Sequence, residues 1–401
     1  MRRLREIPPT AGLPLQAADL LPRRDALTAT LAAQLGAPPL QLECSGTAAL
    51  LVALHALKAR ASSRSVVVAP AYTCPLVAIA VHRMGLTLRL CDTRPGHWDL
   101  DPQALAQSCR EDTLAILPTH LAGLVADMDA PLKIARATGA FVIEDAAQAL
   151  GAREGEQSVG LRGDIGFFSL AAGKGLSIYE GGLLVTRDDA LREDLRAVSA
   201  AVVPRVPGWE LRRSVELLGL AALYRPSLLG LAYGVPLRRA LRRGDPVAAV
   251  GDDFAPQIPF HRVGRWRRGV GTRAAARLPD FLIANRARAL QRIARLRALP
   301  GITVFDETPG TTGSWPFLLV LMPTAAQADA ALAELWTAGL GVSRLFVHAL
   351  PDYAYLADRV PQAAMPHARD FAQRALTISN SAWLDDADFE RIHAVLGRAS
   401  A

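Results

Sequence analysis

Gly166-Phe167-Phe168-Ser169-Leu170-Ala171-Ala172-Gly173-Lys174-Gly175 joins an apolar run to a glycine-flanked amine. The first half reads as a buried strand that ends in a hydroxyl. The second half sets Lys174, one of three lysines in a chain with 42 arginines, in a turn. Arginine is the solubilising cation of this chain, so an amine between glycines after a buried strand asks for another reason. Burial lowers a lysine's pKa and frees its lone pair, which makes Lys174 a candidate Schiff-base nucleophile. A plain surface lysine in a turn is the competing reading of the same residues.

Outward from this run the pattern repeats. Val66-Val67-Val68-Ala69-Pro70, Ala115-Ile116-Leu117-Pro118-Thr119 and Phe141-Val142-Ile143-Glu144-Asp145 are short apolar runs that end in polar or turn residues. Amphipathic stretches such as Asp129 to Thr138 lie between them. Strand and helix in alternation predict an α/β domain with a mostly parallel central sheet covered on both faces. In such sheets ligands bind beyond the carboxyl ends of the strands, where Ser169, Lys174 and Asp145 fall. Residues 188–258 break the rhythm and read as a helical insertion. A helical pattern from Thr272 to Leu299 follows, then strands at 302–305, 315–321 and 376–379 and helices at 325–338 and 385–398. The expected organisation is a large domain over 1–280, carrying the insertion, and a smaller α+β domain over 281–401.

The bulk numbers exclude several classes. A chain of 401 residues with 51% apolar and 21% charged residues is globular and long enough for a full core. Its net charge of +7 is spread over arginines, without zinc-finger spacing or an aromatic-basic motif, so no nucleic-acid partner is expected. Cys44, Cys74, Cys91 and Cys109 form no CxxC pair, and no His/Cys spacing suits a metal. Reduced thiols and a basic N-terminal stretch, Met1 to Pro9, without an apolar core predict a cytoplasmic protein. Leu217 to Leu237 is largely apolar, with Arg212 and Arg213 before it and Arg238, Arg239, Arg242 and Arg243 after it. Pro226 and Pro236 argue against a spanning helix. A pair of short helices packed on the main domain is the expectation, and a hairpin resting on an anionic membrane is the alternative.

Three further features converge on Lys174. Cys44-Ser45-Gly46-Thr47-Ala48-Ala49-Leu50 opens an amphipathic helix whose small first residues expose backbone N–H groups, a ready phosphate site. Asp145, at the end of a strand and followed by Ala146-Ala147-Gln148, could pair with a cationic ring nitrogen or cap the next helix. Glu180-Gly181-Gly182 permits close backbone approach before the strand Leu183-Leu184-Val185-Thr186. The phosphate loop GxxxxGK[ST] does not fit, because Gly175 stands where a hydroxyl residue is needed. A phosphate cradle, a carboxylate for a ring nitrogen and an amine on neighbouring strand ends are what pyridoxal 5'-phosphate requires.

These residues resemble the DegT/StrS-type sugar aminotransferases. The resemblance rests on Ser45-Gly46-Thr47-Ala48-Ala49, Pro70-Ala71-Tyr72-Thr73, Pro118-Thr119-His120-Leu121-Ala122-Gly123, Ile143-Glu144-Asp145-Ala146-Ala147-Gln148, Gly163-Asp164-Ile165-Gly166, and Phe168-Ser169 through Lys174 to Gly182. It implies the aspartate-aminotransferase-like fold (type I of the pyridoxal phosphate enzymes). It also implies amino transfer from an amino acid such as glutamate to a nucleotide-linked keto sugar, in a homodimer. By resemblance Lys174 holds the cofactor and shuttles the proton, Asp145 meets the pyridinium, and Gln148 lies against the ring. Ser169 with Gly46, Thr47 and Ala48 binds the phosphate. Two positions depart from the pattern. Cys74 stands where the family places a stacking aromatic, with Tyr72 as a possible substitute. Phe260-His261-Arg262 stands for the family's Asn-Tyr-Arg segment, leaving Arg262 as the phosphate-binding candidate supplied to a partner subunit. A non-sugar acceptor met near a membrane and a non-catalytic homologue are the alternative functions.

Overall fold

The computed structural model describes residues 5–21 and 24–401, so Met1 to Leu4 of the basic N-terminal stretch lie outside the described residues. Its main sheet has seven strands: β1 Gln41–Glu43, β2 Val66–Pro70, β3 Thr87–Cys91, β4 Thr113–Ile116, β5 Phe141–Asp145, β6 Ile165–Ser169 and β7 Gly182–Val185. They lie in the order β1-β7-β6-β5-β4-β2-β3. Strands β3, β2, β4, β5 and β6 pair in parallel, while β7 runs antiparallel to both β6 and β1. Every residue of β2, β4, β6 and β7 is buried, which is why these strands are continuous apolar runs without alternation. The helix Gly46–Arg60 is buried nearly all round over its first three turns, as a helix wedged under a sheet must be.

A second sheet, with β8 Thr303–Val304, β9 Phe317–Leu321, β10 Val342–Ser343 and β11 Ala375–Ser379, is antiparallel in the order β8-β9-β11-β10. The helices Ala325–Leu335 and Asp386–Ser400 pack together beside it. The helical pattern expected from Thr272 to Leu299 forms two helices, Arg265–Ala275 and Leu278–Leu296. Pro279 sits in the first turn of the second, where its missing N–H costs nothing, and it could not sit in the middle of a longer one. Residue 280, the expected domain boundary, therefore lies inside a helix. That helix ties the two halves together: Asn285 Nδ2 donates to Trp315 O at 2.6 Å and Arg292 Nη2 to Leu384 O at 2.5 Å. The N-terminal segment also leaves the large domain. Ile7 N donates to Gly339 O at 2.9 Å, and Ser379 Oγ donates to Pro8 O at 2.6 Å.

The insertion is helical, with Asp189–Val202, Pro207–Leu223, Pro226–Leu229, Val235–Arg242 and Pro246–Val250. Its inner stripe, Leu217, Leu220, Ala221 and Tyr224, packs against the core below the Lys174 turn, and the Tyr224 hydroxyl donates to Thr10 O at 2.9 Å.

Candidate active site

Strand β6 delivers Ser169, and the chain then turns through Gly173 to Lys174, whose N–H closes the turn on Ala171 O at 3.2 Å. Gly173 has φ +78°, and a side-chain carbon there would stand 2.5 Å from Thr10 Oγ1, so both conformation and crowding demand glycine. Residues 12 and 13 strap the turn from outside, with Leu13 N donating to Gly175 O at 3.0 Å. Lys174 is half-buried, and burial drives its pKa below the ordinary lysine range, opposed by the carboxylate of Asp145.

Asp145 ends β5 and is almost fully buried. Its main chain is clamped by Asp145 N donating to Pro118 O and His120 N donating to Asp145 O, both at 2.9 Å. Burial raises its carboxyl's pKa, opposed by the Ala147 N–H at 3.0 Å and by the charge of Lys174. Gln148 Oε1 accepts the Ala122 N–H at 3.0 Å, which pins the left-handed residue of the 120–124 turn (φ +57°). His120 and Glu144 form a buried pair beside these groups. His120 Nδ1 accepts from Ala126 N at 3.0 Å, so Nε2 carries the proton and donates it to Glu144 Oε2 at 2.9 Å. Glu144 also accepts from the backbone of Gly160, Arg162 and Gly163 at 2.5–2.8 Å. That pair fixes the floor under Asp145 and has no capacity left for acid–base work.

The start of the Gly46–Arg60 helix lies against the end of β6. Ser45 Oγ caps it by accepting Ala48 N–H at 3.0 Å, so of the three backbone donors expected at a phosphate, Ala48 is already engaged. Gly46 and Thr47 N–H have no protein acceptor among the described residues, and Ser169 lies beside them. Strand β7 closes the cradle from behind: a side-chain carbon on Gly182 would stand 2.1 Å from Ser45 O, so only glycine lets the two segments touch.

Two expected residues lie elsewhere. Tyr72 does not face Lys174. It is 1% exposed, edge-on to Phe346 and Phe371 with ring centroids at 5.4 and 5.0 Å, and its hydroxyl donates to Phe346 O at 3.4 Å. Packing against two aromatics from the C-terminal domain outweighs any stacking role, and Cys74 is the residue of that segment that lies within electrostatic reach of Lys174 and Asp145. Arg262 is exposed and donates from Nε to Val203 O at 3.2 Å and from Nη2 to Ala200 O at 3.4 Å. It lines a cavity of about 560 Å³ with Glu43, Arg205, Glu210 and His261, and makes no contact with Lys174, Asp145 or Ser169 of its own chain.

Sequence reasoning missed Asp252. It lies just past the insertion's last helix, and Asp252 Oδ2 accepts from the Tyr353 hydroxyl at 2.7 Å and from Val347 N at 3.3 Å, while its main-chain O accepts from the Tyr355 hydroxyl at 2.5 Å. Its charge acts on Cys74 and Tyr72, and burial pushes its carboxyl up to about 6. His348 stands edge-on to Tyr353 at 5.3 Å, with its pKa lowered by burial. Only a signal tying residue 252 to residues 347–355 would have found this cluster, and no local pattern contains one.

The residues present suit pyridoxal phosphate. A half-buried amine of lowered pKa faces a buried carboxylate, and unpaired helix N–H groups open beside a serine in a cradle that any side chain on Gly46 would fill. Comparison with known proteins agrees. Residues 19–219 match the model of the DegT/DnrJ/EryC1/StrS aminotransferase family. Protein MosB of Rhizobium meliloti is 43% identical over 154 residues, covering 38% of this chain and 30% of MosB. The UDP-N-acetyl-3-dehydro-alpha-D-glucosamine 3-aminotransferase of Acidithiobacillus ferrooxidans is 38% identical over 155 residues, 38% of this chain and 42% of that protein. The match thus spans less than half of either curated relative. The crystal structure of DesI with its TDP-sugar product superposes with a TM-score of 0.75 at 21% identity, covering 99% of this chain and 93% of that one, which shows a shared fold. With half of its length matched by the family model and the lysine, carboxylate and serine of the motif at neighbouring strand ends, the chain belongs to the DegT/DnrJ/EryC1/StrS aminotransferase family.

Proposed function

We propose that the protein is an aminotransferase that uses pyridoxal phosphate to move an amino group from an amino acid, glutamate being the expected donor, to the keto group of a nucleotide-linked sugar. The observation that carries this reading is Lys174, an amine of lowered pKa set opposite Asp145. Family membership supports it, as does the name of the Acidithiobacillus relative, which acts on a UDP-linked sugar. The proposed setting is a cytoplasmic homodimer, with Arg262 serving the partner subunit's phosphate.

When bound, the cofactor supplies an aldehyde for imine chemistry and a ring that accepts the electrons left at the donor's Cα. The chain does the rest. Burial disfavours the ammonium form of Lys174, which favours the free amine that attachment needs. With the cofactor bound, Lys174 Nζ would serve as the general base that takes the donor's Cα proton and gives it back on the far side of the reacting unit. Asp145 would meet the ring nitrogen and stabilise a proton there. Gly46 and Thr47 N–H with the Ser169 hydroxyl hold the phosphate at the positive end of the helix dipole.

Borohydride reduction of the protein with its cofactor, followed by peptide mapping, should leave a pyridoxyl group on Lys174. Glutamate should bleach the visible band of the unreduced protein, and a nucleotide keto sugar should restore it. Lys174→Ala should lack the band while keeping its fold. An unmodified Lys174 in the wild type defeats the proposal.

A further inference from the structure

The helix Pro207–Leu223 is apolar on both sides. Its inner stripe packs on the core, yet Leu211, Val215 and Leu218, spaced at i, i+4 and i+7 on the other side, are 68%, 59% and 47% exposed. Beyond the bend at Tyr224 and Arg225, Leu228 is exposed and Leu231 is 57% exposed. The expected packing of this stretch on the main domain therefore holds for one face only. A surface helix of a water-soluble protein carries charge on its outward face, and an apolar stripe there marks a contact. Among the described residues no single helix is long and apolar enough to cross a membrane, and the two limbs, Pro207–Leu223 and Pro226–Arg242, are bent by 112° at their junction. This is the shape of a segment that lies on a surface.

The surrounding charge names the surface. Residues 205–243 hold eight arginines and two glutamates, with no aspartate or lysine. Both glutamates are taken: Glu210 by Arg267 at 2.6 Å and Glu216 by Arg212 and Arg213 at 3.0 and 2.6 Å. Arg225, Arg239, Arg242 and Arg243 are exposed with no acidic partner among the described residues. A second copy docked on this face would bring arginine against arginine and offer no free carboxylate, so self-association is disfavoured. An anionic lipid headgroup layer offers both phosphates for the arginines and an acyl boundary for the leucines.

We propose that the bent helix pair Pro207–Arg242 docks the protein on an anionic bilayer surface. Leu211, Val215, Leu218 and Leu231 enter the acyl boundary, and Arg225, Arg239, Arg242 and Arg243 meet headgroup phosphates. The docking does not depend on the aminotransferase reading, and its test reads no activity.

Purified protein is sedimented with vesicles of phosphatidylcholine alone and of phosphatidylcholine mixed with phosphatidylglycerol. The wild type should pellet with the mixed vesicles with about tenfold higher affinity than with the neutral ones, and added salt should erase that difference. The triple variant Leu211→Gln, Val215→Gln, Leu218→Gln should bind the mixed vesicles about tenfold more weakly with an unchanged melting temperature. The second variant, Arg239→Gln, Arg242→Gln, Arg243→Gln, should lose the preference for the anionic lipid. Wild type that stays in the supernatant with both vesicles overturns the proposal, as does undiminished binding by both variants. Assemblies of the wild type that the leucine variant breaks, in the absence of vesicle binding, assign the face to contact between copies and overturn it equally.

Discussion

Gly46 and Ser169 meet across the mouth of the sheet: a side-chain carbon on Gly46 would stand 3.3 Å from Ser169 Cβ and 3.6 Å from its hydroxyl oxygen. A helix start and a strand end remote in sequence thereby form one wall of the proposed phosphate cradle. Ser169→Ala removes one hydrogen bond to a charged group, ~1.5–3 kcal/mol, and should weaken cofactor binding by roughly 10- to 100-fold. Gly46→Val fills the cradle and should do at least as much harm. Equilibrium dialysis of cofactor against each variant measures both, and wild-type affinity in Gly46→Val would mean that the phosphate sits elsewhere.

Cys74 occupies the place where the family resemblance implies an aromatic ring. Burial pushes its thiol up to about 12, away from the thiolate that reacts with alkylating agents. Although it is the least buried of the four cysteines, Cys74 should react with iodoacetamide at neutral pH about a thousandfold more slowly than a free cysteine. Mass spectrometry of the Cys74 peptide over time reads the rate. Rapid labelling would show a thiolate that Lys174 stabilises as an ion pair.

Asp252 sets a pH dependence. Burial raises its carboxyl from 3.8 to about 6, so the native chain holds this proton more tightly than the unfolded chain does. Its contribution to stability is complete below pH 3.8 and is lost as the pH rises through 6, with a size of about 3 kcal/mol. Asp252→Asn, which stays neutral and still accepts from Tyr353, should remove that decline. Urea midpoints of wild type and variant, measured across this range, should converge at low pH and part above it. Parallel curves would show an Asp252 that titrates normally.

The His120–Glu144 pair carries stability and no chemistry. His120→Ala removes one hydrogen bond to a buried carboxylate and should cost ~1.5–3 kcal/mol in chemical denaturation. Turnover per folded molecule should change far less than in Asp145→Asn, which alters the group proposed to meet the cofactor's ring nitrogen. A His120→Ala protein that is stable but inactive would move His120 into the chemistry.

Much of the site lies in local pattern. Asp145 and Ser169 stand where apolar runs end, Gly46 stands behind a capping serine, and Lys174 sits between glycines in a turn. Each of those signals needs only a few neighbours, because strand burial, helix capping and left-handed turns are decided over one or two turns of chain. Ala48 shows the limit even here. A backbone donor that looks free in sequence is taken by the Ser45 hydroxyl once the cap forms.

By itself the sequence determined the alternating α/β order, the burial of β2, β5 and β6, the helical character of the insertion and the lysine–carboxylate–serine set. Tertiary packing alone decided that Tyr72 turns into the interface with Phe346 and Phe371, leaving Cys74 beside Lys174. It also decided that Asp252, just past the insertion's last helix, meets Tyr353, and that Leu211, Val215 and Leu218 stay uncovered while Leu217 is buried. Periodicity says that a face is apolar, whereas what covers that face depends on elements far away in the chain, and only their arrangement in space supplies it.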